Sequence, residues 1–259
     1  MAAVCMIFSC LAAAAFFGWK IYSTEQEYAE GDAAYNQLAD LVVKPEADKE
    51  EPGESPAPPV QEENREEIEA NNVPVVNIDA AQTVNTDITA WLYSPDTVID
   101  YPVCQGTDNE YYLTHLADGT YNRNGCLFID YRNEFGFTDR NTLIYGHHMA
   151  SGKMFASLIS YADQSYYDAH PVMYVTLGEK MYRLELFSGY LTTMDSSAYE
   201  LNFSTDHDFA EWLREISSKS DFRSNPMTLS TEDHIVTLST CAYAFQDARY
   251  VVHGRLVEL

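Results

Sequence analysis

Three residue types able to do acyl chemistry stand where β-rich runs of this chain meet their loops. The run His234–Thr240 ends in Cys241, just after Ser239 and Thr240. A thiolate rather than a thiol is the nucleophile, so Cys241 can react only beside a proton acceptor or a positive charge. His147 offers the first, because the strand-like run Asn141–Tyr145 leads into Gly146, His147, His148 and Met149. Arg249 offers the second, eight residues beyond Cys241 at the start of the last β-rich run. If those two runs are neighbours, the loop Ala242–Ala248 brings the guanidinium back towards the thiol, where it can hydrogen-bond a carbonyl turning into an oxyanion. Each residue alone has a second reading: Cys241 as a small buried hydrophobe, His147 as an idle loop histidine, Arg249 as a surface charge. His148 shares the loop and competes with His147. His253 lies four residues past Arg249, ~13 Å further along a strand, too far from the thiol.

The elements that must carry these residues are mostly strands. Candidates are Ala90–Tyr93, Val98–Val103, Cys126–Tyr131, Thr142–Tyr145, Val172–Leu177, Lys180–Thr192, His234–Thr240 and Tyr250–Glu258. Gly178 and Glu179 separate two alternating runs and read as a hairpin turn. Eight strands in one domain suggest a closed β-barrel, which leaves no exposed edge. Two helices interrupt them, near Lys153–Tyr161 and Asp206–Ser218. The second has Ser204 or Thr205 as N-cap and sets Phe209, Trp212, Leu213 and Ile216 on one face.

Composition bounds the partners. Among 259 residues, 40 are acidic and 15 are Lys or Arg, a net charge of −25. With a pI near 4.4, the chain lacks the basic face that nucleic acid requires. Five cysteines without a CxxC pair argue against both a disulfide scaffold and structural zinc. The 19 Tyr, 12 Phe and 3 Trp gather in the last two-thirds and supply a core.

The N-terminal region divides differently. Met1–Trp19 carries no charge and, with Trp19, Lys20 and Tyr22 as an interfacial edge, residues 1–23 read as a membrane anchor. The basic n-region of a cleaved signal peptide is missing. Residues 24–43 place Tyr28, Tyr35, Leu38, Leu41 and Val42 at helical spacing, and 44–72 is acidic and proline-rich, a flexible tether. The layout expected is 1–23 anchor, 24–72 helix and tether, 73–259 catalytic domain.

TLSTC (Thr237–Cys241), the GHHM loop (Gly146–Met149) and RYVVHGRL (Arg249–Leu256) together resemble the sortases, membrane-anchored cysteine transpeptidases of Gram-positive bacteria with a β-barrel fold. DNEYYLTH (Asp108–His115), NGCLFIDYRN (Asn124–Asn133) and the helical insertion near 204–221 look most like class B. The resemblance runs from about Asp87 to Leu259. It implies Cys241 as nucleophile, His147 as the catalytic histidine and Arg249 as the catalytic arginine, with no metal or cofactor. It also implies that the insertion shapes the groove for the sorting signal. Cys126 stands where a small residue is expected, and Cys104 is a further thiol; the two read as packed cysteines or as a disulfide.

The implied reaction is a two-step acyl transfer. Cys241 attacks the Thr carbonyl of a C-terminal sorting motif in a secreted protein, and an amine of cell-wall precursor or another surface protein resolves the thioester. The implied location is the outer face of the membrane, held by the N-terminal helix. A papain-type hydrolase would also use Cys and His, but the cysteine lacks the CGSCW-like context. A non-catalytic surface adhesion domain could share the same layout. The motif itself, NPQTN-like or (S/P)PXTG-like, is not decided by the groove residues.

Overall fold

Strand pairing, more than any one element, sets this architecture. The computed structural model describes residues 2–43, 73–242 and 247–259; the expected tether at 44–72 lies outside the described residues. In chain order the elements are α1 (Ala2–Val42), α2 (Ile78–Gln82), β1 (Ile88–Tyr93), β2 (Asp100–Cys104), β3 (Leu127–Ile129), β4 (Asn141–Tyr145), α3 (Gln164–Ala169), β5 (Val172–Leu177), β6 (Lys180–Thr193), α4 (Asp206–Ser218), β7 (Ile235–Cys241) and β8 (Ala248–Glu258). Short 3-10 turns cover Tyr111–Leu113, Ala156–Ala162 and Ser197–Tyr199.

The eight strands close into a barrel in the order β1-β2-β3-β4-β7-β8-β6-β5. The β2–β3 and β4–β7 pairs are parallel, and the remaining pairs are antiparallel. Parallel neighbours need long crossovers, and the chain between β4 and β7 supplies one containing β5, β6 and α4. The β5–β6 hairpin turns at Gly178, whose φ of 58° suits a residue without a Cβ.

Alternation along β7 sorts its side chains. Val236 and Leu238 enter the barrel core, while Ile235 on the opposite face packs with Val251 under α4. Helix α4 carries the expected apolar stripe, with Phe209, Trp212, Leu213 and Ile216 all buried. Its N-terminus is fixed by a capping box between Thr205 and Asp208. The other expected helix, Lys153–Tyr161, is instead a turn followed by a 3-10 segment. Met154 adopts φ 55° and bridges back to His148, which stops an α-helix from starting at Lys153.

The N-terminal expectation needs correction. Helix α1 runs unbroken from Ala2 to Val42, and its second half is docked on the barrel. Among the described residues, no helix is long and apolar enough to cross a membrane. Lys20, Glu25, Glu27 and Glu30 then bring charge to successive turns. The single-pass membrane location expected from residues 1–23 therefore finds no support among the described helices.

The docked half of α1 behaves as the helical spacing foretold. Tyr35, Leu38 and Val42 are buried in the main core, and only Leu41 of that set is exposed. The Tyr35 hydroxyl donates to the Gly125 carbonyl at 2.5 Å. Arg123 donates to the Glu27 carboxylate through Nε at 2.8 Å and Nη2 at 2.5 Å, and holds that carboxyl below its usual range. A bridge between Val43 and Val76 brings the chain back towards α2.

Candidate active site

The parallel β4–β7 pair carries the histidine to the cysteine. Tyr145 lies opposite Ser239 in that ladder, and Gly146 N–H donates to the Ser239 carbonyl at 3.1 Å. His147, two residues past Tyr145, is therefore level with Cys241, two residues past Ser239. The antiparallel β7–β8 pair adds the third member, because Cys241 and Arg249 are direct register partners. All three residues line one cleft of about 320 Å³, together with Leu113, Phe128 and Met194. By strand alternation Cys241 shares the outer face of β7 with Ile235, which α4 covers; past Ser239 that cover ends and the thiol is half-buried.

His147 is held from several sides. Its Nε2 lies 2.7 Å from the Leu113 carbonyl oxygen. A carbonyl can only accept, so Nε2 carries the proton and Nδ1 is the nitrogen left to exchange one. Phe155 N–H donates to the His147 carbonyl at 3.0 Å. Two glycines make room: a Cβ on Gly125, which sits at φ 60°, would lie 2.6 Å from the Tyr112 carbonyl and 3.0 Å from the His147 ring. A Cβ on Gly146 would lie 2.7 Å from the Phe155 ring. Any larger residue would displace the imidazole or its supports.

Arg249 is half-buried, and its Nη1 donates to its neighbour's carbonyl, Ala248 O, at 3.0 Å. Among the described residues it forms no ion pair. Tyr199 sits close to both Arg249 and Cys241, and burial raises its phenol above the usual range. The Tyr199 hydroxyl and Ser239 Oγ are 2.8 Å apart, and its ring stacks on Tyr145 with centroids 6.3 Å apart. Tyr199 and Met194 belong to the connection that precedes α4. That lead-in reaches the site, whereas the apolar face of α4 itself is spent on the barrel wall.

The rival histidines separate. His148 pairs through its backbone with Met154 and does not line the cleft. His253 is fully buried; its Nδ1 is 2.8 Å from Thr237 Oγ1, and burial pulls its pKa down to about 3. It is a neutral core residue. Cys104 and Cys126 are buried free thiols with sulfurs 3.7 Å apart, not a disulfide. Among the described residues, no group of His, Cys, Asp or Glu could hold a metal ion. Sequence reasoning missed Tyr199, Met194, Asn109 and Gly125, which no local spacing connects to Cys241.

A closed β-barrel with a thiol, an imidazole and a guanidinium along one cleft has the groups that cysteine acyl transfer requires. The sortase domain model matches residues 92–257. Sortase B of Listeria monocytogenes is 41% identical over 178 residues, covering 68% of this chain and 72% of the relative. Among solved structures, sortase B of Bacillus anthracis superposes with a TM-score of 0.72 at 33% identity, covering 90% of this chain and 99% of that one. The Staphylococcus aureus sortase B–substrate complex gives 0.67 at 33% identity, covering 70% and 85%. The chain belongs to the sortase family. Its relatives are of class B, and its activity is that of a sortase transpeptidase.

Proposed function

We propose that Cys241, His147 and Arg249 are the catalytic residues of this sortase. We further propose that its substrates are secreted proteins with a C-terminal sorting signal cleaved after Thr. The observation that carries the reading is the register itself: Cys241 opposite Arg249 across β7–β8, with His147 level with both across β4–β7. In the first step the Cys241 thiolate adds to the Thr carbonyl carbon, and the oxyanion accepts hydrogen bonds from Arg249. Protonated His147 gives its proton to the leaving amine as the C–N bond breaks, leaving a thioester on Cys241. An incoming amine then attacks the thioester, neutral His147 takes its proton, and the thiolate departs. The acceptor is an amino group of cell-wall precursor or of another surface protein. The cleft, lined by Leu113, Phe128 and Met194 beside the three residues, leaves room for an extended peptide, and the S. aureus relative is solved as a substrate complex.

The test is a panel of NPQTN-like and (S/P)PXTG-like peptides, each with and without an added amine. The expected result is a covalent adduct on Cys241 by intact mass and a ligated product once amine is present. Cys241→Ala should abolish both while keeping the thermal melt of the parent. Turnover by that variant would refute the assignment. Release of free acid alone, even at high amine, would make the protein a hydrolase.

A further inference from the structure

Behind the cleft lies a carboxylate that the reaction above does not use. Asp130, at the end of β3, is 0% exposed. Its Oδ2 accepts from Arg132 Nη2 at 2.8 Å, from the Tyr145 hydroxyl at 2.9 Å and from Asn109 Nδ2 at 3.0 Å. Its Oδ1 accepts from Arg132 Nε at 2.8 Å and from the Arg132 backbone N–H at 3.0 Å. Burial pushes the carboxyl up, but these donors outweigh it and hold the group below its usual range. Two of the donors, Asn109 and Tyr145, are walls of the cleft. The other end of the Asn109 carboxamide is fixed too, since its Oδ1 accepts from Tyr131 N–H at 3.0 Å.

We propose that Asp130 is a positioning residue for the acyl-donor peptide, holding Asn109 and Tyr145 in the one arrangement that shapes the binding wall of the cleft. A charge buried only for stability would be satisfied by its partner, yet Arg132 is half-exposed and takes part of the carboxylate's capacity. The remaining capacity goes to two cleft side chains, and through the ring stack of Tyr145 on Tyr199 it reaches Ser239, two residues before Cys241. Removing the carboxylate leaves the Asn109 amide held only at its Oδ1 and lets the Tyr145 ring tilt, which weakens peptide binding without touching the thiol. The inference rests on the cleft being the peptide site.

The experiment compares wild type, Asp130→Asn, Arg132→Gln, Asn109→Ala and the Asp130→Asn/Asn109→Ala pair in the full chain. It reads kcat and KM on one sorting peptide, the thermal melt, and the rate of Cys241 alkylation by iodoacetamide, a reagent too small to need the peptide wall. Asp130→Asn is expected to raise KM roughly tenfold, the scale of one or two lost oriented hydrogen bonds. The kcat and the alkylation rate should hold near wild type. Adding Asp130→Asn to Asn109→Ala should raise KM by a smaller factor than Asp130→Asn does alone, because part of its effect passes through Asn109 and only the Tyr145 part remains. A lowered melt with unchanged KM would overturn the proposal, as would a fully multiplicative double variant. Should Asp130→Asn fail to fold, Arg132→Gln carries the test: a raised KM supports positioning and an unchanged one refutes it. Cys241→Ala run alongside separates the two levels. Turnover in that control sinks the catalytic assignment, whereas a dead control with unchanged KM in the Asp130 set sinks only this inference.

Discussion

Arg249 faces Cys241 across the β7–β8 ladder with its Nη1 tied to the Ala248 carbonyl. That tether orients a planar guanidinium, and in the proposed role orientation is what a developing oxyanion needs. Arg249→Lys is therefore expected to be nearly as damaging as Arg249→Ala. A lysine ammonium keeps the charge but is a mobile point donor with a different reach. Loss of a preorganised donor costs ~10²–10³ in kcat, roughly 3–4 kcal/mol. The check is kcat/KM for both variants on one peptide, with melts to exclude unfolding; a Lys variant within about tenfold of wild type, ~1.4 kcal/mol, means that charge suffices. At this scale the sequence is informative for groups that sit where a strand meets its loop, as Cys241, His147 and Arg249 do. It is silent about Asp130, Tyr199 and Gly125. Their importance comes from partners far along the chain, such as Tyr145 for Asp130, Ser239 for Tyr199 and the His147 ring for Gly125.

At the scale of elements, α1 is the piece whose position matters most for the boundaries of the domain. Its Tyr35, Leu38 and Val42 complete the main core, and the Tyr35 ring meets Tyr101 of β2 edge-on with centroids 5.3 Å apart. The Tyr35 hydroxyl also fixes Gly125, whose backbone leaves room for the His147 ring. Truncating such an aromatic, Tyr35→Ala, is expected to cost about 3 kcal/mol or more. In a domain of this size that lowers the melt by roughly 6–12 °C. A chain starting at Val73 should melt lower still than one starting at Thr24. Equal melts for the two would show that α1 is dispensable to the fold. The docked half of α1 was legible because Tyr35, Leu38 and Val42 fall on one helical face. The parallel pairing of β4 with β7 was not, since alternation marks a strand without naming its neighbour. Helix α4 shows the same limit: its buried stripe was plain, but only the fold reveals that Met194 and Tyr199 in the preceding connection approach the cleft.

On the scale of the whole molecule, His253 joins parts that the other interactions treat separately. It sits in β8, hydrogen-bonds Thr237 of β7, and packs against Tyr190 of β6 and Trp212 of α4. Burial, with Lys219 as a lesser cause, lowers its pKa from 6.5 to about 3. The folded state therefore refuses a proton that the unfolded chain accepts. A depressed pKa gives stability that is complete above the unfolded value and is lost as pH falls towards the folded one. Between about 6.5 and 3 the fold should thus lose stability, approaching ~1.4 kcal/mol per pH unit in the middle of that window. Carboxylates held low by partners, Glu27 by Arg123 and Asp130 by Arg132, contribute in the same direction but only below the ordinary carboxylate range. The two sources are separable because the upper part of the window, from about pH 6.5 to 5, belongs to histidine. Denaturant unfolding of wild type and His253→Gln across that range is the measurement. The wild type should lose stability steadily, while the variant, weaker at pH 7 for want of its Thr237 contact, should run nearly flat until the carboxylates titrate. Parallel slopes in the two proteins would mean that His253 takes up its proton without opening the barrel, and that its neutrality is not part of what holds β6, β7, β8 and α4 together.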